Sequence, residues 1–146
     1  MPAYPRALWL LGLCVLLCSC KESKPAGWKE TFPVKGEVYV DGKPASGLQV
    51  TCTDASATDT KTPAAPPALT TEDGKFELSS YKAGDGVPVG DYALTFIWGK
   101  INLMSMSYSG PDKLNGRYTD PKQSKNRFKV EKGKPTDLGR IELTTK

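Results

Sequence analysis

Short runs in which apolar and polar side chains alternate recur along most of this chain, and they constrain its fold more than any other feature. The alternation gives each run one apolar face, as in a strand that covers a core. The residues expected to point inward are Val34, Gly36, Val38 and Val40; Leu48, Val50 and Cys52; Phe76 and Leu78; Tyr92, Leu94, Phe96 and Trp98; Phe128 and Val130; and Ile141 and Leu143. Turns such as Asp41-Gly42 separate the runs, and no segment after residue 20 has a helical apolar period longer than about two turns. The pattern predicts an all-β fold, a single antiparallel β-sandwich of about seven strands.

Two connections between these runs are long. Residues 55–69 have several prolines and no apolar period, which predicts a mobile loop. Residues 99–125 are more than the joining of two strands needs. We expect the first half of this second segment to extend the preceding strand or to form an edge strand over its apolar outer face. The alternative is a partner-binding loop with Arg117 and Tyr118 as contacts.

The first 20 residues carry a different pattern. A single positive charge, Arg6, precedes an almost wholly apolar run over residues 7–17, and small residues follow it. This is the layout of a secretory signal, and the run is shorter than the roughly 20 residues that a spanning helix needs. We expect residues 1–19 to be a cleaved signal peptide, residues 20–32 a tether, and residues 33–144 the folded domain.

The junction Leu17-Cys18-Ser19-Cys20 resembles the lipobox of bacterial lipoproteins. The resemblance implies that Cys20 becomes the N-terminus and carries a diacylglycerol thioether and an amide-linked fatty acid such as palmitate. Two such signals hold a protein on a membrane stably, whereas one chain does not. Lys21 stands where aspartate directs retention in some lipoproteins, so we expect export and anchoring to the cell envelope, in the outer membrane, facing the periplasm or the surface.

Three motifs in order resemble carboxypeptidase regulatory-like domains, which are transthyretin-like (prealbumin-like) modules. The first motif matches at Gly36, Val38, Asp41, Gly42, Pro44, Gly47 and Val50; the second at Thr70 or Thr71, Asp73, Gly74 and Phe76; the third at Gly90, Tyr92 and Leu94. The later "RYTDPKQS" is similar to a segment of small planctomycete-type bacterial lipoproteins, with Arg117 where lysine is usual. The resemblance covers residues 33–144. It implies a transthyretin-like sandwich, a class of domains of which most are non-catalytic.

The chain contains no histidine, which excludes a Ser-His-Asp triad, a Cys-His dyad and the usual zinc-hydrolase site. The acidic residues are scattered singly, without the spacing of a calcium loop. Cys52 alternates with Leu48 and Val50, so we expect an inert core thiol. We therefore predict no enzyme activity, no catalytic residues, no cofactor and no metal site.

The net charge of +4 is concentrated in the last 25 residues, which we expect to be the solvated faces of strands. No Lys/Arg run with interleaved aromatic residues favours nucleic acid. Two functional classes stay open: a tethered binding module for an envelope protein or polymer, and a structural spacer without a dissociable ligand. Exposed aromatic residues would favour glycan binding, and the candidates are Trp28, Trp98, Tyr108 and Tyr118.

Overall fold

The computed structural model describes residues 24–102, 104–105 and 107–146. The predicted signal peptide and the predicted lipidation site, Cys20, lie outside these residues, as do Leu103 and Met106. The described residues form twelve strands and no helix, so the all-β prediction is confirmed. No helix in this part of the chain is long and apolar enough to cross a membrane.

The strands are joined mostly by short turns, and five of them exceed three residues. In chain order they are β1 (Thr31–Phe32), β2 (Val34–Val40), β3 (Lys43–Pro44), β4 (Gln49–Asp54), β5 (Ala68–Leu69), β6 (Lys75–Glu77), β7 (Val87–Pro88), β8 (Gly90–Ile97), β9 (Lys100–Asn102), β10 (Ser107–Ser109), β11 (Arg127–Val130) and β12 (Thr136–Leu143).

One sheet is built around β2. Strand β12 lies along one edge of β2, and β6 and β3 pair with successive parts of the other edge. The pairing of β2 with β12 is parallel, so the expectation of a purely antiparallel sandwich is wrong at this point. Strand β11 ends at the end of the sandwich where β2 begins. The turn after β11 crosses there to the sheet of β2, so β12 starts at that end and runs in the same direction as β2.

The facing sheet has the order β11-β8-β4-β5, and all of its pairs are antiparallel. Every residue expected to point inward is buried except Phe128 and Trp98, which are partly buried against the core. One apolar cluster joins residues of both sheets, as a sandwich requires. The inward-facing register is therefore confirmed. Burial of such a face is the main source of stability, at about 25 cal/mol for each Å² of apolar surface.

Two connections differ from expectation. The second half of the 55–69 segment packs on the sandwich: Ala65 is buried, the Ala64 N–H donates to the Cys52 carbonyl over 2.8 Å, and β5 pairs with β4. The segment as a whole is therefore not a free loop. Strands β9 (Lys100–Asn102) and β10 (Ser107–Ser109) pair with each other rather than with an edge of either main sheet. A hairpin can satisfy its backbone internally without adding to a sheet edge.

The direction of the strands defines two ends of the domain. Strands β2, β8 and β12 all begin at the end where β1 and β7 lie, which we call the tether end. The far end holds the Asp41-Gly42 turn, the β9–β10 hairpin and the chain after Leu143. A seven-residue strand such as β2 spans about 20 Å, and this separates the two ends.

Candidate functional site

The second half of the 99–125 segment is held by one carboxylate. Asp112 accepts hydrogen bonds from the backbone N–H groups of Trp98 at 2.8 Å, Leu114 at 3.0 Å and Gly116 at 2.9 Å. Partial burial acts to raise the pKa of Asp112, but these three bonds outweigh it and hold the pKa below the ordinary 3.8. The turn inserts the Leu114 side chain, which is fully buried, into the core.

Tyr118 follows this turn and serves the packing of the sandwich. Its ring meets Phe96 edge-on at a centroid distance of 6.4 Å, and the Phe96 N–H donates to its carbonyl over 2.9 Å. Its hydroxyl accepts the Thr144 N–H at 3.0 Å, which ties it to the end of β12. One edge of Tyr118 remains on the surface, where it lines a cleft.

Beyond Tyr118 the chain runs beside β8 before it enters β11. The Leu94 N–H donates to the Asn126 carbonyl at 2.9 Å, and the Ser124 hydroxyl donates to the Leu94 carbonyl at 2.6 Å. The Arg127 guanidinium donates to three carbonyls of residues 121, 122 and 124, which closes the bend on itself. The wall of the cleft is therefore fixed by hydrogen bonds to backbone groups, some of which the Ser124 and Arg127 side chains form.

The cleft encloses about 480 Å³ and is mainly polar. It is lined by Arg117, Tyr118, Asp120, Gln123, Ser124, Lys125, Asn126 and Glu142. Both acidic side chains are engaged: Asp120 accepts from the Lys122 N–H and the Gln123 amide, and Glu142 is paired with Arg140. Arg117 is exposed, and neither its guanidinium nor the Lys125 ammonium has a hydrogen-bond or ion-pair partner among the described residues. The cleft therefore offers unpaired cations between acids that are already satisfied.

The two predicted contact residues, Arg117 and Tyr118, both line the cleft but differ in how far the fold uses them. Arg117 and Tyr118 lie side by side on the cleft, yet Tyr118 is largely committed to the fold and Arg117 is not. Lys125 was not singled out from the sequence, because the bend that brings it to Arg117 depends on non-local contacts with β8.

The other aromatic candidates separate into two groups. At the far end, the Trp98 indole N–H donates to the Ser46 carbonyl at 3.0 Å with Lys113 over its ring, and the Tyr108 hydroxyl donates to the Gly47 carbonyl. Both therefore brace loops. At the tether end, Trp28 stacks on Tyr81 with ring centroids 4.4 Å apart and an interplanar angle of 11°. This pair lines a groove of about 320 Å³.

Cys52 lies in the core, as expected, with no exposed surface. Burial raises the pKa of its thiol to about 12, with the nearby Asp54 charge adding to the shift. A thiol in this state has almost no nucleophilic thiolate at neutral pH. Among residues 24–102, 104–105 and 107–146, no three His, Cys, Asp or Glu side chains are grouped so that they could hold a metal ion.

The geometry thus defines an all-β sandwich domain with a fixed polar cleft. No family model matches the chain. No curated protein matches it either.

Three solved structures resemble parts of it. A DUF3823 family protein from Parabacteroides merdae ATCC 43184 is 12% identical over 80% of this chain and 46% of its own, with a TM-score of 0.40. A 9R-lipoxygenase from Cyanothece PCC8801 is 10% identical over 78% of this chain and 16% of its own, with a TM-score of 0.41. The dioxygenase domain of a dioxygenase carbohydrate-binding protein fusion from Streptomyces sp. SirexAA-E is 15% identical over 84% of this chain and 83% of its own, with a TM-score of 0.37. The chain thus spans less than half of the length of the first two.

Proposed function

We propose that the protein is an exported lipoprotein, anchored to the cell envelope through Cys20, whose sandwich is a non-catalytic binding module. The anchor is supported by the signal layout and the lipobox-like Leu17-Cys18-Ser19-Cys20. The resemblance of residues 33–144 to carboxypeptidase regulatory-like domains of planctomycete-type lipoproteins agrees with a non-catalytic role. Lys21 favours the outer membrane, with the domain facing the periplasm or the surface.

The observation that carries the binding role is the pair of unpaired cations in the cleft. Arg117 and Lys125 share a fixed polar wall in which Asp120 and Glu142 already have partners. A guanidinium on a rigid wall suits a carboxylate or another oxyanion, because its planar donors match two oxygens at once. The partner class proposed is therefore an envelope component that presents an anionic group.

The position of the cleft fits this role. Tyr118 joins the wall of the cleft to the end of β12, which is the end away from the tether. A module anchored at one end and recognising a partner toward the other leaves its contact surface open to the envelope space. Surface cations also speed the encounter with an anionic partner.

A structural spacer is the second candidate, and one observation favours it. Tyr118, one of the two predicted contact residues, holds Phe96 and Thr144 and so contributes to the fold. If Tyr118 is only a packing residue and the cleft is only solvated, the domain needs no dissociable ligand.

The experiment is a pull-down from crosslinked envelopes with the lipidated protein, comparing wild type with Arg117→Glu/Lys125→Glu. Lys43→Glu/Lys100→Glu, with the same charge change at exposed positions of the far end, is the matched control. Loss of two charge-assisted contacts is expected to weaken binding by about 100-fold or more at unchanged Tm, since each is worth about 1.5–3 kcal/mol. Equal recovery by both variants, or no partner enriched by the wild type, contradicts the binding module and supports the spacer.

A further inference from the structure

The groove at the tether end is a preformed aromatic and basic surface. Its lining residues are Lys24, Pro25, Trp28, Lys29, Thr31, Tyr81, Lys82 and Asp85. The rings of Trp28 and Tyr81 stack on each other at the groove, and 38% of the Tyr81 surface remains exposed. No residue of this groove lines the cleft of Arg117 and Lys125, so the two surfaces are separate.

Local backbone contacts fix the groove. The Trp28 N–H donates to the Pro25 carbonyl at 3.2 Å, which closes a β-turn over residues 25–28. Gly27 has a φ of +92°, as the third residue of a type II turn requires. The Lys29 N–H donates to the Tyr81 hydroxyl at 3.3 Å, which ties the tether to the 80–85 loop. Stacking and this bond together hold Trp28 on the domain. The aromatic surface therefore belongs to the folded domain and does not swing with the tether.

The acid that lines the groove, Asp85, is internally satisfied. The Asp85 carboxylate accepts the backbone N–H groups of residues 80, 81 and 82 at 2.7–3.1 Å. Asp54 lies within electrostatic reach of Lys29, but its pKa is lowered chiefly by the Ser56 hydroxyl and amide. Two further features point outward at this end: Val89, 53% exposed, follows the strand paired with β1, and Lys24 precedes the turn. Among the residues that line the groove, lysines therefore outnumber the one acid, whose carboxylate is already hydrogen-bonded.

From this combination we infer that the tether-end groove seats the domain on an anionic lipid headgroup surface, with Trp28 and Tyr81 at the interface and Lys24 and Lys29 against the phosphates. The inference rests on the proposed anchor at Cys20, since Lys24 is four residues away and an extended chain covers about 14 Å over that distance. Trp and Tyr favour the headgroup level because their rings are apolar and their N–H and O–H groups are polar. Lysines near such a surface are attracted electrostatically and extend their charged ends to it.

The consequence is a fixed orientation. A domain held only by a lipid and a free tether would tumble, whereas a domain seated by its tether end presents the far end and the cleft away from the membrane. Each lysine near an anionic surface is expected to shift the ratio of seated to unseated protein by about fivefold.

The test uses the processed, lipidated protein in vesicles that contain brominated lipids. Trp28 and Trp98 are the tryptophans after residue 19, and the Trp28→Phe variant assigns the signal of each. In phosphatidylglycerol vesicles, Trp28 emission should shift to shorter wavelength and be quenched by shallow bromines, and Trp98 should not respond. Lys24→Glu/Lys29→Glu should lower the seated ratio by about 25-fold or more, with Lys43→Glu/Lys100→Glu as the control at the far end.

The outcomes separate the seat from the anchor. Co-flotation with vesicles reports the anchor, so a wild type that floats while Trp28 emission stays that of a water-exposed indole overturns the seat and leaves the anchor standing. Quenching that is equal in phosphatidylcholine vesicles and rises with protein density overturns the lipid seat in favour of a second copy of the chain. Failure to float contradicts the proposed anchor itself. Unchanged Tm in each variant shows that the fold is intact.

Discussion

Replacement of Asp112 by alanine should weaken the fold by an amount that its hydrogen bonds define. Its carboxylate accepts three backbone N–H groups, of which those of Trp98 and Leu114 are partly buried and that of Gly116 is exposed. Water can replace the bond to Gly116, while the other two groups lose their partner at about 1 kcal/mol each. The expected loss is about 2 kcal/mol, a large share of the roughly 5–15 kcal/mol that holds a domain of this size.

The Asp112→Asn variant isolates the mechanism. Both partly buried N–H groups bond to the same oxygen of Asp112, and asparagine retains one such oxygen. We expect a loss of about 0.5–1 kcal/mol, because a neutral acceptor forms weaker bonds. Urea unfolding gives both values at constant m. Asp59→Ala, in an exposed loop, is the control for removal of a carboxylate. A loss below about 0.5 kcal/mol for Asp112→Ala, the size of an ordinary surface substitution, would refute the reasoning.

The pH dependence gives a second view of the same group. Because the pKa of Asp112 is lowered in the folded state, its stabilising effect is fully present above the ordinary 3.8 and is lost as pH falls through the lowered value. Asparagine has no such titration. The stability gap between wild type and Asp112→Asn should therefore close in acid, and a gap that widens below pH 3.8 contradicts the assigned sign.

Two other residues give sharp expectations. Cys52, with its pKa raised to about 12 by burial, should react with a bulky thiol reagent only after denaturation; labelling of the native protein at the denatured rate would show that the β4 register is wrong. Gly86→Ala should cost about 3 kcal/mol or more, because the new Cβ would lie 1.7 Å from the Phe32 carbonyl oxygen at a φ of +79°. Gly133→Ala, at a φ of +76° in open space, isolates the backbone cost of about 1 kcal/mol, and equal losses from the two glycines in thermal unfolding would exclude the steric clash.

The inward face of each main strand was predictable because the side-chain period of a strand does not depend on its partners. Val38, Leu94 and Ile141 are buried as their alternation indicates. Strand partners are a different matter, because they depend on contacts between distant parts of the chain. No local sequence pattern predicts the parallel pairing of β2 with β12 or the packing of Ala65 against the core.

The cleft and the tether-end groove were likewise predictable only in part. Arg117 and Tyr118 were predicted as neighbours on one segment, and the structure places both on the cleft. Lys125 joins them only through the bend that runs beside β8 before β11, and Tyr81 joins Trp28 across 53 residues of sequence. Apolar periodicity cannot predict such pairs, because the residues of both pairs lie outside the strands. The lipid anchor is readable from sequence alone and stays a prediction.

The most direct test of the account is the intact mass and N-terminal fragmentation of the protein extracted from membranes. We predict a chain that begins at Cys20 and carries a diacylglycerol and an amide-linked fatty acid, and we expect Cys20→Ser to leave the membrane fraction. A mature chain that begins elsewhere without lipid, or a Cys20→Ser protein that stays in the membrane fraction, would contradict the anchor on which both proposals depend.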